Sequence, residues 1–178
     1  MKKLKLEELG RMSIDEFKVA EKLPVTILLD NVRSLHNVGS AFRTADAFRI
    51  EKIILTGITG TPPHREIQKS ALGATESVPW EYHERPSTIV KQLKEQGYTI
   101  VIIEQTSESI ALQKFHPARD EKYILIFGNE VNGVSDELIS YGDFSLEIPQ
   151  AGTKHSLNIS VCLGIVTWEM FKKIGQSG

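Results

Sequence analysis

Four short runs of mostly branched apolar residues constrain this chain more than any other feature: VTILLD (residues 25–30), EKIILTG (51–57), YTIVIIE (98–104) and KYILIFG (122–128). Their hydrophobicity is nearly continuous rather than alternating, so both faces of each strand must be covered, as happens in parallel sheets with connections packed on either side. Between them lie helical patterns. Val38, Ala41, Phe42, Ala45 and Phe48 recur at helical spacing within residues 37–48, and residues 65–72, 87–96 (closed by Gly97) and 157–174 read the same way, with a further helix starting near Ser135. SVPWEYH (77–83) reads as a strand put at an edge by Pro79, and DFSLEIP (143–149) as the last strand. Strand and helix in alternation predict an α/β fold with a mostly parallel sheet and helices on both faces. Ser13 and Glu16 have capping-box spacing, which predicts a short helix to about residue 21, ended before Pro24. We therefore expect an N-terminal helical extension over residues 1–22 and one main domain over 23–178.

Composition narrows the function classes. With 40% apolar and 25% charged residues in 178, the chain has enough material for a real core and is far from disorder. The one cysteine excludes an intrachain disulfide, and no Cys/His group has zinc spacing, so no metal is expected. No apolar run approaches the roughly 20 residues of a membrane span. The basic start MKKLKLEELGR has no apolar stretch behind it and is no signal peptide, so we expect a reduced, cytoplasmic protein without membrane attachment. The net charge of −2 gives no bulk attraction to nucleic acid, so such a partner would need a local patch, or one assembled across an oligomer.

In open parallel sheets ligands sit beyond the carboxyl ends of the strands. Three segments there are rich in Gly, Asn, Ser and Glu: NVRSLHNVGSAFRT, GNEVNGVS and IPQAGTKHSLNISV. Each alone reads equally as a turn. In the first, Asn37 suits a helix cap, Gly39 and Ser40 leave the backbone open to close approach, and Arg43 lies on the same helical face as Gly39. A surface ion pair with Asp46 or Asp30 is an equal reading for Arg43. In the second, Glu130 either takes backbone donors to fix its loop or performs acid–base chemistry. In the third, Ser156 and Asn158 sit where caps belong. The last helix carries Val161, Gly164, Ile165 and Trp168 on one face, which suits either burial within the protomer or a second copy of the chain. No segment supplies GxGxxG or a GK[ST] ending, which disfavours a dinucleotide or P-loop enzyme.

Together and in this order, NVRSLHNVGSAFRTA, ILIFGNEVNGVSDELI and IPQAGTKHSLNISVCLGIV resemble the three motifs of the SpoU/TrmH family of RNA ribose methyltransferases, in the SPOUT superfamily. REIQKSALGATESVPWEY resembles the intervening segment through Lys69, Ser70, Gly73 and Ala74. The likeness runs over residues 25–174. It implies a C-terminal deep trefoil knot, S-adenosylmethionine bound in that knot, a homodimer through the C-terminal helix, and methyl transfer to a ribose 2′-hydroxyl of structured RNA, tRNA being expected ahead of rRNA. By motif position, Asn37, Arg43, Glu130, Ser156 and Asn158 match catalytic positions. Cofactor contacts carry over to Thr56, Gly57, Gln105, Gly128, Ile148 and Leu157. Gln150 and Ala151 depart from the Met or Leu of many relatives.

RNA contacts fall to Arg33, Arg65 and Lys69, with Lys2, Lys3, Lys5 and Arg11 either extending that rim or remaining solvated tail charges. Arg43 is the residue whose chemistry is most specific: a guanidinium fork grips a phosphate bidentately but does not release its proton. A rival expectation is a catalytically silent, knotted RNA-binding or scaffold protein.

Overall fold

The computed structural model describes residues 1–154 and 156–175. Its centre is a seven-stranded sheet of β1 (Leu23–Asp30), β2 (Ile50–Thr56), β3 (Trp80–His83), β4 (Tyr98–Ile103), β5 (Ile110–Ala111), β6 (Lys122–Phe127) and β7 (Phe144–Glu147). The order is β3-β2-β1-β6-β4-β7-β5, and every pairing between these strands is parallel. The four apolar runs supply the middle strands, where both faces are covered. β3 is an edge strand, with Pro79 directly ahead of it.

Alternate residues of each central strand feed opposite cores. Val25, Ile27 and Leu29 of β1, Ile53 and Leu55 of β2 and Leu125 and Phe127 of β6 pack under α1 (Ile14–Val19), α2 (Leu35–Ala47), α3 (Arg65–Ala71), α4 (Ala74–Ser77) and α7 (Ile159–Ile174). Leu28, Ile54, Ile100, Ile102, Ile124 and Ile126 face the other way, against α5 (Pro86–Glu95) and α6 (Asp136–Ile139). A strand with two apolar faces thus has a helix layer on each, the arrangement its composition requires.

Several boundaries differ from those read in the sequence. Ser13 and Glu16 do form a capping box, but α1 stops at Val19, and Pro24 lies inside β1 rather than after a loop. Proline suits the second position of a strand that pairs irregularly there, between Leu23 and Thr26. α2 begins two residues earlier than the pattern indicated, because the Ser34 hydroxyl caps it by accepting the Asn37 N–H; Asn37 is inside the first turn and is not the cap. β5, α4 and short 3-10 turns at Leu6–Leu9 and Leu112–Lys114 have too few residues to show a period. Gly39 has a packing reason: a Cβ there would stand 2.1 Å from Ser70 Oγ and 2.3 Å from the Ile67 carbonyl, so α2 and α3 touch backbone to backbone. Among the described residues, no helix is long and apolar enough to cross a membrane.

Candidate active site

β4, β6 and β7 are brought side by side by the strand order, so the loops at their carboxyl ends meet. They enclose a cavity of 510 Å³ together with the segment entering α7. That volume suits a nucleoside-sized ligand. Ile103, Phe127, Leu146, Ile148, Leu157 and Ile159 make the apolar wall, and Glu104, Asn129, Glu130 and Glu147 the polar one. Among the described residues no Lys, Arg or His lines it, and Glu104, Glu130 and Glu147 make that lining acidic.

The loop after β6 is folded by its own side chains. Asn129 Oδ1 accepts the N–H groups of Val131 and Asn132 at 2.9 and 3.2 Å, and Asn129 pairs with Gly133 backbone to backbone. Three ties bind this loop to the end of β1 and the entry to α2. Asn129 Nδ2 donates to the Asn31 carbonyl at 2.7 Å. The Ser135 N–H donates to Asp30 Oδ2 at 3.0 Å. The Glu130 carboxylate accepts the Arg33 and Ser34 N–H groups at 3.0 Å each and Asn37 Nδ2 at 3.2 Å. Burial works against the charge on Glu130, but the hydrogen bonds from Arg33, from its own backbone, and from Ser34 and Asn37 outweigh it and hold the carboxyl below the usual glutamate range. These bonds are what the loop-fixing reading of Glu130 requires.

Of the residues expected to hold a cofactor, Gln105, Gly128, Ile148 and Leu157 line the cavity, as do Glu130, Ser156 and Asn158. Asn158 also caps α7, its Oδ1 accepting the Ser160 N–H at 2.9 Å. Thr56 and Gly57 are not brought there. They end β2, beyond β1 from the cavity, where the Thr56 hydroxyl donates to the Leu29 carbonyl and the Gly57 carbonyl accepts from Tyr82. Neither belongs to the cavity's described lining, because β1 stands between β2 and β6. Glu104, Asn129 and Cys162 line the cavity without having been singled out. The one available signal for Glu104 was its position as the polar end of an apolar run, next to Gln105. Burial first, and then the charge of Glu104, push the Cys162 thiol up to about 11, so it stays protonated at neutral pH.

Arg43 lies elsewhere. It is exposed and lines a shallower groove of 440 Å³ with His36, Ser40, Thr44, Lys69 and Ser70, between α2 and α3. Neither expected ion pair forms: Asp46 accepts from Ser77, Asp30 is occupied by Asn31 and Ser135, and Arg43 makes no ion pair among the described residues. Arg33 and Arg65 are exposed, and Lys69 pairs with Glu66 at 2.7 Å. On α7, Val161, Ile165 and Trp168 remain 50%, 38% and 47% exposed, so the protomer does not bury that face. Among the described residues no group of His, Cys, Asp or Glu could hold a metal ion.

A parallel α/β sheet with helix layers on both faces and an acidic cavity of loops at its carboxyl edge defines a ligand-binding α/β protein. Comparison with known proteins gives its relationship. Residues 24–168 match the SpoU rRNA Methylase family model, and the chain belongs to that family. It is 30% identical over 146 residues to the 23S rRNA (guanosine-2'-O-)-methyltransferase RlmB of Neisseria meningitidis, covering 82% of this chain and 57% of the relative. It superposes on the A. aeolicus TrmH/SpoU tRNA modifying enzyme with a TM-score of 0.80 at 26% identity, over 90% of this chain and 80% of that one. An AdoMet-bound rRNA methyltransferase from Sinorhizobium meliloti gives 0.79 at 27% identity, over 85% and 57%. The chain spans 57–65% of the length of the curated relatives it matches.

Proposed function

We propose that this protein is an S-adenosylmethionine-dependent RNA methyltransferase that modifies a ribose 2′-hydroxyl and works as a homodimer. The observation that carries the reading is the acidic cavity built from the motif loops. Its charge suits a cationic sulfonium ligand, its volume suits a nucleoside, and its mixed wall suits a molecule with an apolar ring and a polar tail. Gln105, Gly128, Ile148 and Leu157 are the residues that would hold the cofactor there. When bound, S-adenosylmethionine supplies a methyl already activated on sulfur, so the protein's share is placement, worth about 7–11 kcal/mol of barrier in well-oriented reactions.

The basic groove provides the complementary half. Arg43, with no carboxylate partner among the described residues, offers its donor fork to an RNA phosphate and to the oxygen that becomes negative as its proton leaves. Its own proton stays in place, because the guanidinium remains charged. Asn37 and Glu130 hold the start of α2, from which Arg43 projects. Ser156 and Asn158, which line the cavity, would meet the substrate. Because Arg43 lines a groove that shares no residue with the cavity, a second copy docked on the exposed apolar face of α7 would complete the site, and Arg33, Arg65 and Lys69 would extend the contact to RNA. A C-terminal segment threaded as a trefoil knot accords with residues 150 and 156–159 lining the cavity against the loop after β6. Between tRNA and rRNA we take tRNA, on the likeness to the A. aeolicus enzyme, of which the chain covers more than it does of RlmB.

The test is transfer of labelled methyl to total tRNA and to rRNA, with Arg43→Lys beside the wild type. The expected result is 2′-O-methylated tRNA and loss of most transfer in Arg43→Lys with cofactor binding intact. Cofactor binding without transfer to either RNA would replace this reading with a silent RNA-binding scaffold.

A further inference from the structure

The cavity holds one carboxylate whose placement the fold fixes with unusual care. Glu104 follows β4, and its two oxygens are taken by backbone donors on different loops: Oε1 accepts the Gln105 N–H at 2.9 Å, and Oε2 the Val134 N–H at 3.2 Å. Its own carbonyl accepts the Ser145 hydroxyl at 3.0 Å, which ties the residue to β7 as well. The loop after β6 is shaped around it. Gly133 has a φ of +69°, and a Cβ there would stand 2.1 Å from Glu104 Oε2. No Lys, Arg or His among the described residues pairs with this carboxylate. Its charge nevertheless reaches across the cavity, where it helps to raise the Cys162 thiol.

A half-buried carboxylate that no described cation pairs with, held rigidly against a ligand cavity, is an electrostatic selector. The methyl donor carries a sulfonium, whereas the product left after transfer carries a neutral thioether, so the two differ by one positive charge at nearly the same shape. We propose that Glu104 is the specificity-determining residue that favours the positively charged donor over its demethylated product. This rests on the methyltransferase reading above. Its consequence is that transfer itself removes part of what holds the nucleoside, which promotes product release. Glu130 is committed to the donors at the start of α2, and among the described residues the Glu147 carboxylate has no such pair of backbone donors.

Isothermal titration calorimetry of the full chain tests it, with S-adenosylmethionine, S-adenosylhomocysteine and sinefungin, which has an ammonium group where the donor has its methylsulfonium. Glu104→Gln is expected to weaken both cationic ligands roughly tenfold, the lower end for removing an opposite charge within a few ångströms, and to change S-adenosylhomocysteine by less than about threefold. Equal weakening of all three, or of none, overturns the proposal, because a packing role does not sense ligand charge. If Glu104→Gln does not fold by circular dichroism, Glu104→Asp is read instead. It keeps the charge and is expected to retain the wild-type ratio of donor to product affinity within about threefold; an altered ratio overturns the proposal. A wild-type chain that binds none of the three ligands refutes the methyltransferase reading, a result distinct from unchanged selectivity in a protein that binds them.

Discussion

Replacing Glu130 by Ala removes the carboxylate that joins the loop after β6 to the start of α2, and its cost can be worked from three contacts. The acceptor is charged and serves the Arg33 and Ser34 N–H groups and Asn37 Nδ2. At the lower end for bonds to a charged group, about 1.5 kcal/mol each, they total about 4–5 kcal/mol. The residue is exposed, so water can take over the freed donors, and roughly half of that, about 2 kcal/mol, is the expected loss. For a chain of this size it corresponds to a fall in Tm of about 4–8 °C.

The effect should also depend on pH in a definite direction. The carboxyl is held below its ordinary range in the folded protein, so its contribution is complete above the ordinary glutamate value of about 4.3 and is lost as the pH falls through the lowered folded value. Urea unfolding of wild type and Glu130→Ala at pH 7 and again near pH 3 should therefore show a gap that closes on acidification. A gap below about 0.5 kcal/mol at pH 7, or one that widens at low pH, would refute the assignment of Glu130 as the interlock between these loops.

Other substitutions probe separate parts of the molecule. Gly133→Ala combines a left-handed backbone with a collision on Glu104, and should cost at least about 1–2 kcal/mol in urea unfolding while weakening S-adenosylmethionine binding. Ile165→Asp sets a charge on the exposed apolar face of α7 without disturbing the protomer core; sedimentation velocity should show a shift from dimer to monomer, with methyl transfer lost. Lys173→Met withdraws the ammonium that donates to the Leu112, Gln113 and Phe115 carbonyls at 3.3, 3.1 and 2.5 Å, and should lower stability by about 1–2 kcal/mol in thermal unfolding.

The sequence by itself determined the layers. Runs such as KYILIF and TIVII can be buried only with cover on both faces, so a parallel sheet between helices follows from residue type and period, and the motif order was enough to identify the family. It also carried the local chemistry of caps, because a hydroxyl or amide beside a helix start acts within a few residues; Ser13 and Asn158 behave as their positions suggest. The tertiary structure decided which strand ends meet. Thr56 and Gly57 have the same strand-end character as Gly128, yet the order β2-β1-β6-β4-β7 leaves them outside the cavity. Asn37 does not cap α2 because the helix already starts at Leu35 behind the Ser34 hydroxyl, and its side-chain amide N–H is free to donate to Glu130, far along the chain. The placement of Glu104 was signalled only by its position at the end of an apolar run, since the partners that fix it, Val134 and Ser145, lie in the loop after β6 and in β7. Short-range propensity acts between neighbours in the chain, whereas a binding site is made by neighbours in space, and only the folded sheet brings those together.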